Sequence, residues 1–374
     1  MRNPTRILVK SVKAIRFGYS PSPETIELIE TFRMMVNHAI DIAIKEKIRG
    51  RLKLRNRVYC EFRERYGVVS PYPYSVAEVA WSIVKKHRRW QRKPVAERPM
   101  MKIDAASYSL SYGILNLPFR KGDRLLVPLE YGDYQRSFLT DTTLKRGSVT
   151  MTDRTILVAF SKETEAVKPL TRLGIDLNEK SAVLSNGTRY DLSEVARLHT
   201  EYGVRRRSFH SLHPKDERLK KKFSMSSREK ARAKQFLNRV SKAIVQMAKE
   251  SRHAIVMERL KGIRFVHQRG NGESRARRRR IAQWPFREFQ HQVEYKAGWV
   301  GVQVEYVSPA YTSQRCHACG FVNRKLKLTD REWQCPKCGC LLDRDLNAAI
   351  NIERRGKIEC LAVVRPGARG GVKP

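Results

Sequence analysis

Two cysteine pairs with a fixed spacing constrain the fold of this chain more than any other feature. Cys316 and Cys319 form one Cys-x-x-Cys pair, Cys335 and Cys338 form the second, and 15 residues lie between the pairs. Each pair can form a tight knuckle that aims two thiolates at one ion, and the intervening segment can fold back to complete a tetrahedron. The spacing therefore predicts a structural zinc site. Cys340 lies close enough to replace Cys338 as a ligand.

The segment that follows the cysteine pairs predicts a helix with aspartates at its start. Asp343 and Asp345 could each cap the free N–H groups of a helix N-terminus, or could hold a metal ion rigidly there. The two roles are equally compatible with the local sequence. The apolar side of the predicted helix consists of Leu346, Ala349, Ile350 and Ile352.

The net charge of the chain predicts a polyanionic partner. Lys and Arg total 76 against 37 Asp and Glu, which gives a formal charge of +39. This excess is far larger than solubility requires, so nucleic acid is the simplest partner. An anionic membrane is disfavoured because no run approaches 18 apolar residues. Besides the four paired cysteines, only Cys60, Cys340 and Cys360 occur, which is typical of a reducing compartment. We expect a soluble, cytoplasmic protein.

The N-terminal half alternates between strand and helix patterns. Residues 6–17 predict strands, and a helix follows with Ser22 as its N-cap and Pro23 at its first position. A second helix is expected from Ser75, after a basic run over residues 45–57. Residues 113–160 predict short strands separated by Lys-Gly-Asp, Tyr-Gly-Asp, Arg-Gly and Thr-Asp turns. These strands and the N-terminal ones predict a small β-barrel interrupted by a helical domain.

Several basic segments are candidates for nucleic-acid contact. Residues 204–239 contain 13 Lys and Arg against 3 acids, and residues 261–280 contain 8 against 1. One such run is often only a solvated face, but several in so basic a chain favour binding. A helix with Ser226 as its cap is expected in the second half of the first segment. The candidate contact residues are Lys85, Lys86, Arg88, Arg89, Arg205, Arg206, Arg207, Arg232, Arg239, Arg277, Arg278, Arg279 and Arg280.

Three acids stand out against their apolar surroundings. Asp176 lies in one predicted strand, Glu258 ends another, and Asp345 lies at the head of the last helix. A carboxylate is rare in an apolar strand because its burial is costly without a partner, and a divalent cation is such a partner. Three carboxylates can hold two Mg²⁺ ions about 4 Å apart for phosphodiester hydrolysis. Taken singly, Asp176 could be a turn residue and Glu258 could pair with an arginine.

The motifs around these acids resemble the TnpB family, transposon-encoded relatives of type V CRISPR effector nucleases. Residues 174–178 (GIDLN), 256–262 (VMERLKG) and 343–349 (DRDLNAA) are similar to its three RuvC motifs. Residues 311–320 (YTSQRCHACG), together with the second cysteine pair, resemble its zinc-ribbon insertion. The similarity extends from about residue 170 to 355, and the N-terminal half matches in layout only. Arg259 departs from the commoner pattern, in which an acid follows the glutamate.

The resemblance implies an RNase H-like nuclease guided by RNA from the transposon end. It would cut both strands of a target double-stranded DNA at one RuvC site. Asp176, Glu258 and Asp345 would be the catalytic Mg²⁺ ligands, with Asp345 favoured over Asp343 because the family's aspartate lies two residues before the asparagine, here Asn347. The alternatives are an RNA-guided DNA-binding repressor that does not cut, and a guide-independent structure-specific nuclease. The sequence leaves a monomer and a dimer equally open.

The resemblance and the patterns together predict a multidomain chain of α/β and all-β parts. An RNase H-like (RuvC) domain carries a zinc-ribbon insertion and follows the interrupted β-barrel. The expected segments are 1–20 and 113–165 for the barrel, 21–112 for the helical insert, 166–310 and 342–358 for the nuclease domain, 311–341 for the zinc ribbon, and 359–374 for a flexible tail.

Overall fold

The computed structural model describes two compact units. One unit comprises Val12–Lys162, and the other comprises Met1–Ser11 with Glu163–Pro374. The finer segment boundaries expected from the sequence remain predictions. The residues described are 8–87, 92–212, 216, 227–260, 278, 281–327 and 330–360.

Four α-helices occur among the described residues of the first unit, and three of them differ from the sequence expectation. The first helix has the expected start, since the Ser22 hydroxyl accepts a hydrogen bond from the Thr25 N–H at 3.3 Å. The third helix begins at Pro71, earlier than the expected Ser75, because a proline is well suited to a first helical turn. The helices are α1 (Pro23–Lys45), α2 (Arg51–Tyr66), α3 (Pro71–Val84) and α4 (Asp133–Thr140).

Helix α2 was not expected from the sequence, which indicated only a basic run there. Its buried side chains are Leu54, Val58 and Phe62, each four residues from the next. This spacing places them on one helical face, where they pack inward while the basic residues remain outside. The spacing of these apolar residues predicts a helix, but the expectation from the sequence rested only on the basic residues of the segment.

The strands of the first unit form two separate sheets. Strands β1, β7, β6 and β2 pair in that order, and β3, β4 and β5 form a second sheet of three. Strands β2 and β3 lie within the segment for which a helical insert was expected. The strands are β1 (Leu8–Phe17), β2 (Met100–Ile103), β3 (Ser109–Ser111), β4 (Ile114–Pro118), β5 (Arg124–Pro128), β6 (Lys145–Thr152) and β7 (Ile156–Glu165).

The expectation of a closed β-barrel is wrong for the part of the chain that is described. Its two sheets meet at an isolated bridge between Gly18 and Glu130, without a continuous ladder. The physical reason lies in the Tyr-Gly-Asp sequence, which does not form a turn between strands. Gly132 is the N-cap of α4, and its N–H donates to the Gln135 side chain at 3.2 Å. The chain therefore leaves the three-stranded sheet after β5 and enters the four-stranded sheet at β6.

The second unit contains a five-stranded mixed sheet in the order β10-β9-β8-β11-β12. Strand β11 runs parallel to β8 and β12, whereas β9 runs antiparallel to β8 and to β10. The β9–β10 hairpin turns at the expected Asn-Gly pair, where Gly187 has φ +88°. The strands are β8 (Thr171–Leu177), β9 (Ser181–Leu184), β10 (Arg189–Asp191), β11 (His253–Glu258) and β12 (Val304–Val307).

The two faces of this sheet have different neighbours because side chains alternate along each strand. Leu173 and Ile175 of β8 belong to a large apolar core shared with the helices that follow β10 and β11. Gly174 and Val256 face the opposite side, where the last helix packs. The helices of this unit are α5 (Ser193–Leu212), α6 (Ser227–Glu250), α7 (Phe286–Trp299) and α8 (Arg344–Arg355). The expected cap of α6, Ser226, lies outside the described residues.

A small antiparallel hairpin precedes α8. Strands β13 (Glu332–Gln334) and β14 (Leu341–Asp343) pair with each other, and Trp333 and Leu342 form a minor core with two buried cysteines. In the described residues, no helix combines the length and the apolar character that a membrane crossing needs.

Candidate active site

The structure brings the three predicted acids to one edge of the sheet. Met257 lies opposite Ile175 in the parallel ladder, so Glu258 and Asp176 occupy adjacent positions one residue further along. Both point to the face that α8 covers, because their neighbours in the strands point to the large core. Asp345 lies in the first turn of α8, on the same face. Residues more than 80 positions apart in the sequence thus become neighbours.

Asp176 is held in an electrostatically unfavourable position. Its side chain is buried, with 9% of its surface exposed. Burial, followed by the charges of Glu258 and Asp345, raises the pKa of Asp176 well above its usual range. Burial also raises the pKa of Glu258. Like charges in a poorly solvated site destabilise the fold, unless a cation offsets them.

The two aspartates at the start of α8 have different roles. Asp343 is the N-cap, since its carboxylate accepts from the Leu346 N–H at 2.8 Å and pairs with Arg189 at 2.6 Å. Although burial opposes the shift, these two partners hold the pKa of Asp343 below its usual range. Asp345 has weaker partners, with the Arg331 guanidinium at 3.7 Å. The geometry leaves Asp345 available for a ligand and commits Asp343 to the cap.

Three further side chains that the sequence did not single out contact the acids. The Thr312 hydroxyl donates to Glu258 Oε1 at 2.5 Å, and the Gln290 amide donates to the Glu258 backbone carbonyl at 2.7 Å. The Asn178 amide lies 3.4 Å from Asp345 Oδ2. Thr312 and Asn178 lie within the motifs that predicted the site, whereas Gln290 lies in α7 and gave no signal.

The donor set fits a hard divalent cation. Three carboxylates, of which Asp176 is buried and the other two are partly buried, offer the oxygen ligands that Mg²⁺ prefers, and a cation would relieve the repulsion that raises the pKa of Asp176. Among the described residues, the four cysteines are the group whose donor atoms all lie within 4.8 Å of one another.

The four paired cysteines form a compact cluster, as their spacing predicted. All four sulfur atoms lie within 4.8 Å of one another. Cys316 and Cys338 are 3.7 Å apart, and Cys319 and Cys335 are 3.5 Å apart. Zinc–sulfur bonds of about 2.3 Å in a tetrahedron give sulfur separations of about 3.8 Å, so the cluster fits zinc closely. Cys340 is not a member, and its sulfur contacts the Leu341 carbonyl.

Backbone N–H groups of the knuckles lower the pKa of the cysteine thiols that they face, although the neighbouring thiols outweigh this at Cys338 and raise its pKa to about 12. Gly320 and Gly339 have φ of +78° and +71°, and their N–H groups donate to the carbonyls of Cys316 and Cys335 at 2.9 and 2.8 Å. Burial of the Cys335 thiol raises its pKa, but hydrogen bonds from the backbone N–H groups of Cys338 and Lys337 outweigh burial and lower the pKa of Cys335 to about 7. A thiolate is the form that binds a metal ion.

We expect the cysteine cluster to bind one zinc ion per chain. Cys335→Ser removes a buried ligand and should release the metal and unfold the β13–β14 hairpin, because the small core of the ribbon cannot replace the bonds to zinc. Cys340→Ser is the matched control and should retain the full zinc content. Elemental analysis of the purified variants measures both. Zinc loss in the Cys340 variant would show that the ligand set is wrong.

The basic residues predicted to contact nucleic acid differ in their exposure to solvent. Arg206 contacts buried Glu229, which also accepts a hydrogen bond from His199 Nδ1 at 2.6 Å, so Arg206 supports the packing of α5 on α6. Arg278 is half-buried. The residues exposed to solvent are Lys85, Lys86, Arg205, Arg207, Arg232 and Arg239. Arg88, Arg89, Arg277, Arg279 and Arg280 lie outside the described residues.

Comparison with solved structures shows which fold this chain resembles. Its structure is similar to Cas12f1 in a cryo-EM structure of the Cas12f1-sgRNA-target DNA complex, with a TM-score of 0.59 and 14% sequence identity over 89% of this chain and 83% of that one. The Cas12f1-like TNB domain family matches residues 286–352, which include α7, the cysteine cluster and most of α8. The chain is therefore a mixed α/β protein whose fold is similar to that of Cas12f1.

Sequence relatives identify the family. The chain is 30% identical over 248 residues to TnpB-like protein MJ0751 of Methanocaldococcus jannaschii. This alignment covers 62% of this chain and 87% of that protein. It therefore belongs to the TnpB family, as its motifs indicated. It is also 34% identical over 116 residues to the CRISPR-associated endodeoxyribonuclease Cas12f1 of Sulfoacidibacillus thermotolerans, covering 31% of this chain but only 25% of that longer protein.

Proposed function

We propose that this protein is an RNA-guided DNA endonuclease of a transposable element that cleaves double-stranded DNA at a single metal-dependent site. The observation that carries the proposal is the convergence of Asp176, Glu258 and Asp345 at one edge of the sheet. The relative Cas12f1 of Sulfoacidibacillus thermotolerans is an endodeoxyribonuclease by name, and the solved Cas12f1 of similar fold was determined as a complex with sgRNA and target DNA. Family membership supports the same activity here.

The three acids would hold two Mg²⁺ ions. When bound, such ions activate a water molecule and stabilise the leaving oxygen of a phosphodiester. The protein contributes a fixed set of carboxylates, two on neighbouring strands and one on a capped helix, whose positions do not depend on loops. The Thr312 and Gln290 contacts restrict Glu258 further. Rigid support of this kind reduces the reorganisation needed for reaction.

Exposed basic side chains would bind the RNA and DNA backbones. In α5, Arg205 lies over the Tyr202 ring at 5.4 Å. On α2 and α3, the Tyr59 and Tyr74 rings are 5.1 Å apart and Arg55 lies 5.2 Å over Tyr74. Cations interleaved with aromatic rings suit both phosphates and stacked bases. These surfaces support a nucleic-acid partner beyond the net charge alone.

The proposed guide RNA is tested by expressing the gene together with the native DNA that flanks it. The protein should be isolated in high salt and its bound RNA sequenced. A discrete RNA with a constant scaffold and a 3′ end in the neighbouring DNA supports guiding, and matched DNA should then be cut in Mg²⁺ but not in EDTA. A mixture of cellular RNAs would contradict guiding and favour the guide-independent nuclease. Binding without cutting would favour the repressor.

The roles assigned to the two aspartates of α8 predict different results for matched substitutions. Asp343→Asn keeps a side-chain oxygen for the Leu346 N–H, and asparagine is as good an N-cap as aspartate. Asp345→Asn removes a proposed metal ligand. We expect the Asp345 variant to lose cleavage by on the order of 10²-fold or more, and the Asp343 variant to retain most of it. Cleavage rates at saturating Mg²⁺ measure this, and the opposite ranking would reverse the assignment.

A further inference from the structure

Thr312 joins the first cysteine knuckle to the Glu258 carboxylate. Its side chain is 3% exposed, and its hydroxyl oxygen lies 2.5 Å from Glu258 Oε1. The Pro309 carbonyl is a second acceptor at 3.1 Å, but a hydroxyl has one proton to donate. The shorter contact goes to the carboxylate, where a charge-assisted hydrogen bond is the stronger one. The hydroxyl therefore restricts the orientation of the Glu258 side chain.

The backbone that carries Thr312 is held in an unusual conformation. Tyr311 has φ +59°, a left-handed value that residues other than glycine rarely adopt, and its side chain is 50% exposed. A conformation of this kind persists only when its surroundings fix it. The fixing contact is a hydrogen bond from the buried Asn351 amide to the Thr312 carbonyl at 2.9 Å. Helix α8 thus sets the position of Thr312.

Two buried asparagines of α8 extend this connection to the zinc cluster. Asn351 and Asn347 lie one helical turn apart, and both donate to the Arg315 carbonyl, at 2.6 and 2.8 Å. Asn347 also accepts from the His317 N–H at 2.8 Å. Arg315 and His317 flank Cys316, a member of the cluster. One continuous set of hydrogen bonds therefore runs from Arg315 and His317, the neighbours of Cys316, through Asn347 and Asn351 of α8 and through Thr312 to Glu258.

We propose that Thr312 is a positioning residue, which holds the Glu258 carboxylate in the orientation that a divalent cation requires. Through hydrogen bonds from Asn347 and Asn351, the helix that carries Asp345 also fixes the positions of the cysteine knuckle and of Thr312. The ribbon thus supports the active site through a defined hydroxyl. This inference rests on the proposed endonuclease function for its biological meaning, and its first readout, cation binding, is independent of cleavage.

The test compares side chains that differ in the hydroxyl group. Thr312→Val preserves shape and removes the donor, and Thr312→Ser keeps the donor. Mn²⁺ binding is measured by titration with electron paramagnetic resonance on the complex with its bound RNA. We expect the valine variant to weaken Mn²⁺ binding about 10-fold and the serine variant to resemble the unmodified protein, since outer-shell partners of metal ligands typically contribute 10- to 100-fold. Thr140→Val, on exposed α4, is the matched control and should change nothing.

A second readout separates positioning from general packing. The Mg²⁺ concentration for half-maximal cleavage should rise in Thr312→Val, while RNA retention, DNA affinity and the melting temperature stay unchanged. If the valine variant does not fold, Thr312→Ala and Thr312→Ser make the same comparison, because they differ only in the hydroxyl. Unchanged Mn²⁺ binding in the variant without the hydroxyl would overturn the inference, and so would failure of serine to restore it.

The two proposals fail separately. If the unmodified complex does not cut matched DNA, the endonuclease proposal is wrong, and the Mn²⁺ titration still decides the role of Thr312. If the unmodified complex cuts and Thr312→Val cuts equally well at every Mg²⁺ concentration, the positioning role is wrong and the endonuclease proposal stands.

Discussion

Asp176→Asn is expected to abolish DNA cleavage while leaving the bound RNA in place. The substitution preserves the shape of the side chain and removes the charge that a divalent cation requires. We expect the cleavage rate to fall on the order of 10³-fold or more, equivalent to about 4 kcal/mol in the activation barrier. RNA content and DNA affinity should not change, because Asp176 is buried. Single-turnover cleavage of a matched duplex measures the loss.

The same variant should be more stable than the unmodified protein when divalent cations are removed. Burial, together with Glu258 and Asp345, raises the pKa of Asp176 in the folded state. An acid with a raised folded pKa contributes stability below its unfolded pKa of about 3.9, and this contribution is lost as the pH rises towards the folded value. In EDTA, Asp176→Asn should therefore raise the melting temperature more at about pH 8 than at about pH 4, which is close to the unfolded pKa.

Asp191→Asn is the matched control for both measurements. Asp191 lies on edge strand β10, is exposed, and accepts from the Ser193 N–H at 2.8 Å, a contact that asparagine keeps. Cleavage and the pH dependence of melting should match the unmodified protein. Retained cleavage in Asp176→Asn would remove Asp176 from the active site, and a melting temperature independent of pH would contradict the electrostatic argument.

Gly174→Ala is expected to lower the free energy of unfolding strongly. A Cβ at this position would lie 2.1 Å from the Ala349 carbonyl oxygen and 2.6 Å from the Glu353 nitrogen. Both atoms belong to the backbone of α8, so no rotation of a side chain relieves the clash. We expect destabilisation of about 3 kcal/mol or more, at the upper end for overpacked sites. Chemical denaturation measures this change.

The Gly174 substitution should also impair cleavage. Strand β8 carries Asp176 and helix α8 carries Asp345, so displacement of the helix separates two proposed ligands. Gly203→Ala is the matched control, because a Cβ there has no atom within 4 Å and the position is helical. It should stabilise the protein by about 0.5–1 kcal/mol, since alanine favours a helix over glycine. Equal effects of the two substitutions would contradict the close packing of α8 on β8.

Features set by nearby residues could be predicted from the sequence. The cysteine spacing predicted the four-sulfur cluster, Ser22 and Pro23 predicted the start of α1, and the Asn-Gly pair predicted the β9–β10 hairpin. Each of these depends on a few residues whose local geometry restricts the backbone. The motifs around Asp176 and Glu258 predicted family membership for the same reason, because short segments carried the resemblance.

Features set by packing between distant segments could not be predicted. Of the apolar face expected for α8, Ala349 and Ile352 are buried, but Leu346 and Ile350 are only partly buried. Asn347 and Asn351 are buried instead, because they bind the carbonyl groups of the segment that enters the zinc knuckle. The sequence by itself determined which ligands and acids the protein has. Only the tertiary structure decided that Asp343 caps the helix, that Asp345 faces the site and that Thr312 reaches Glu258. Each of these outcomes depends on partners, such as Arg189, that lie far away in the sequence and become neighbours only on folding.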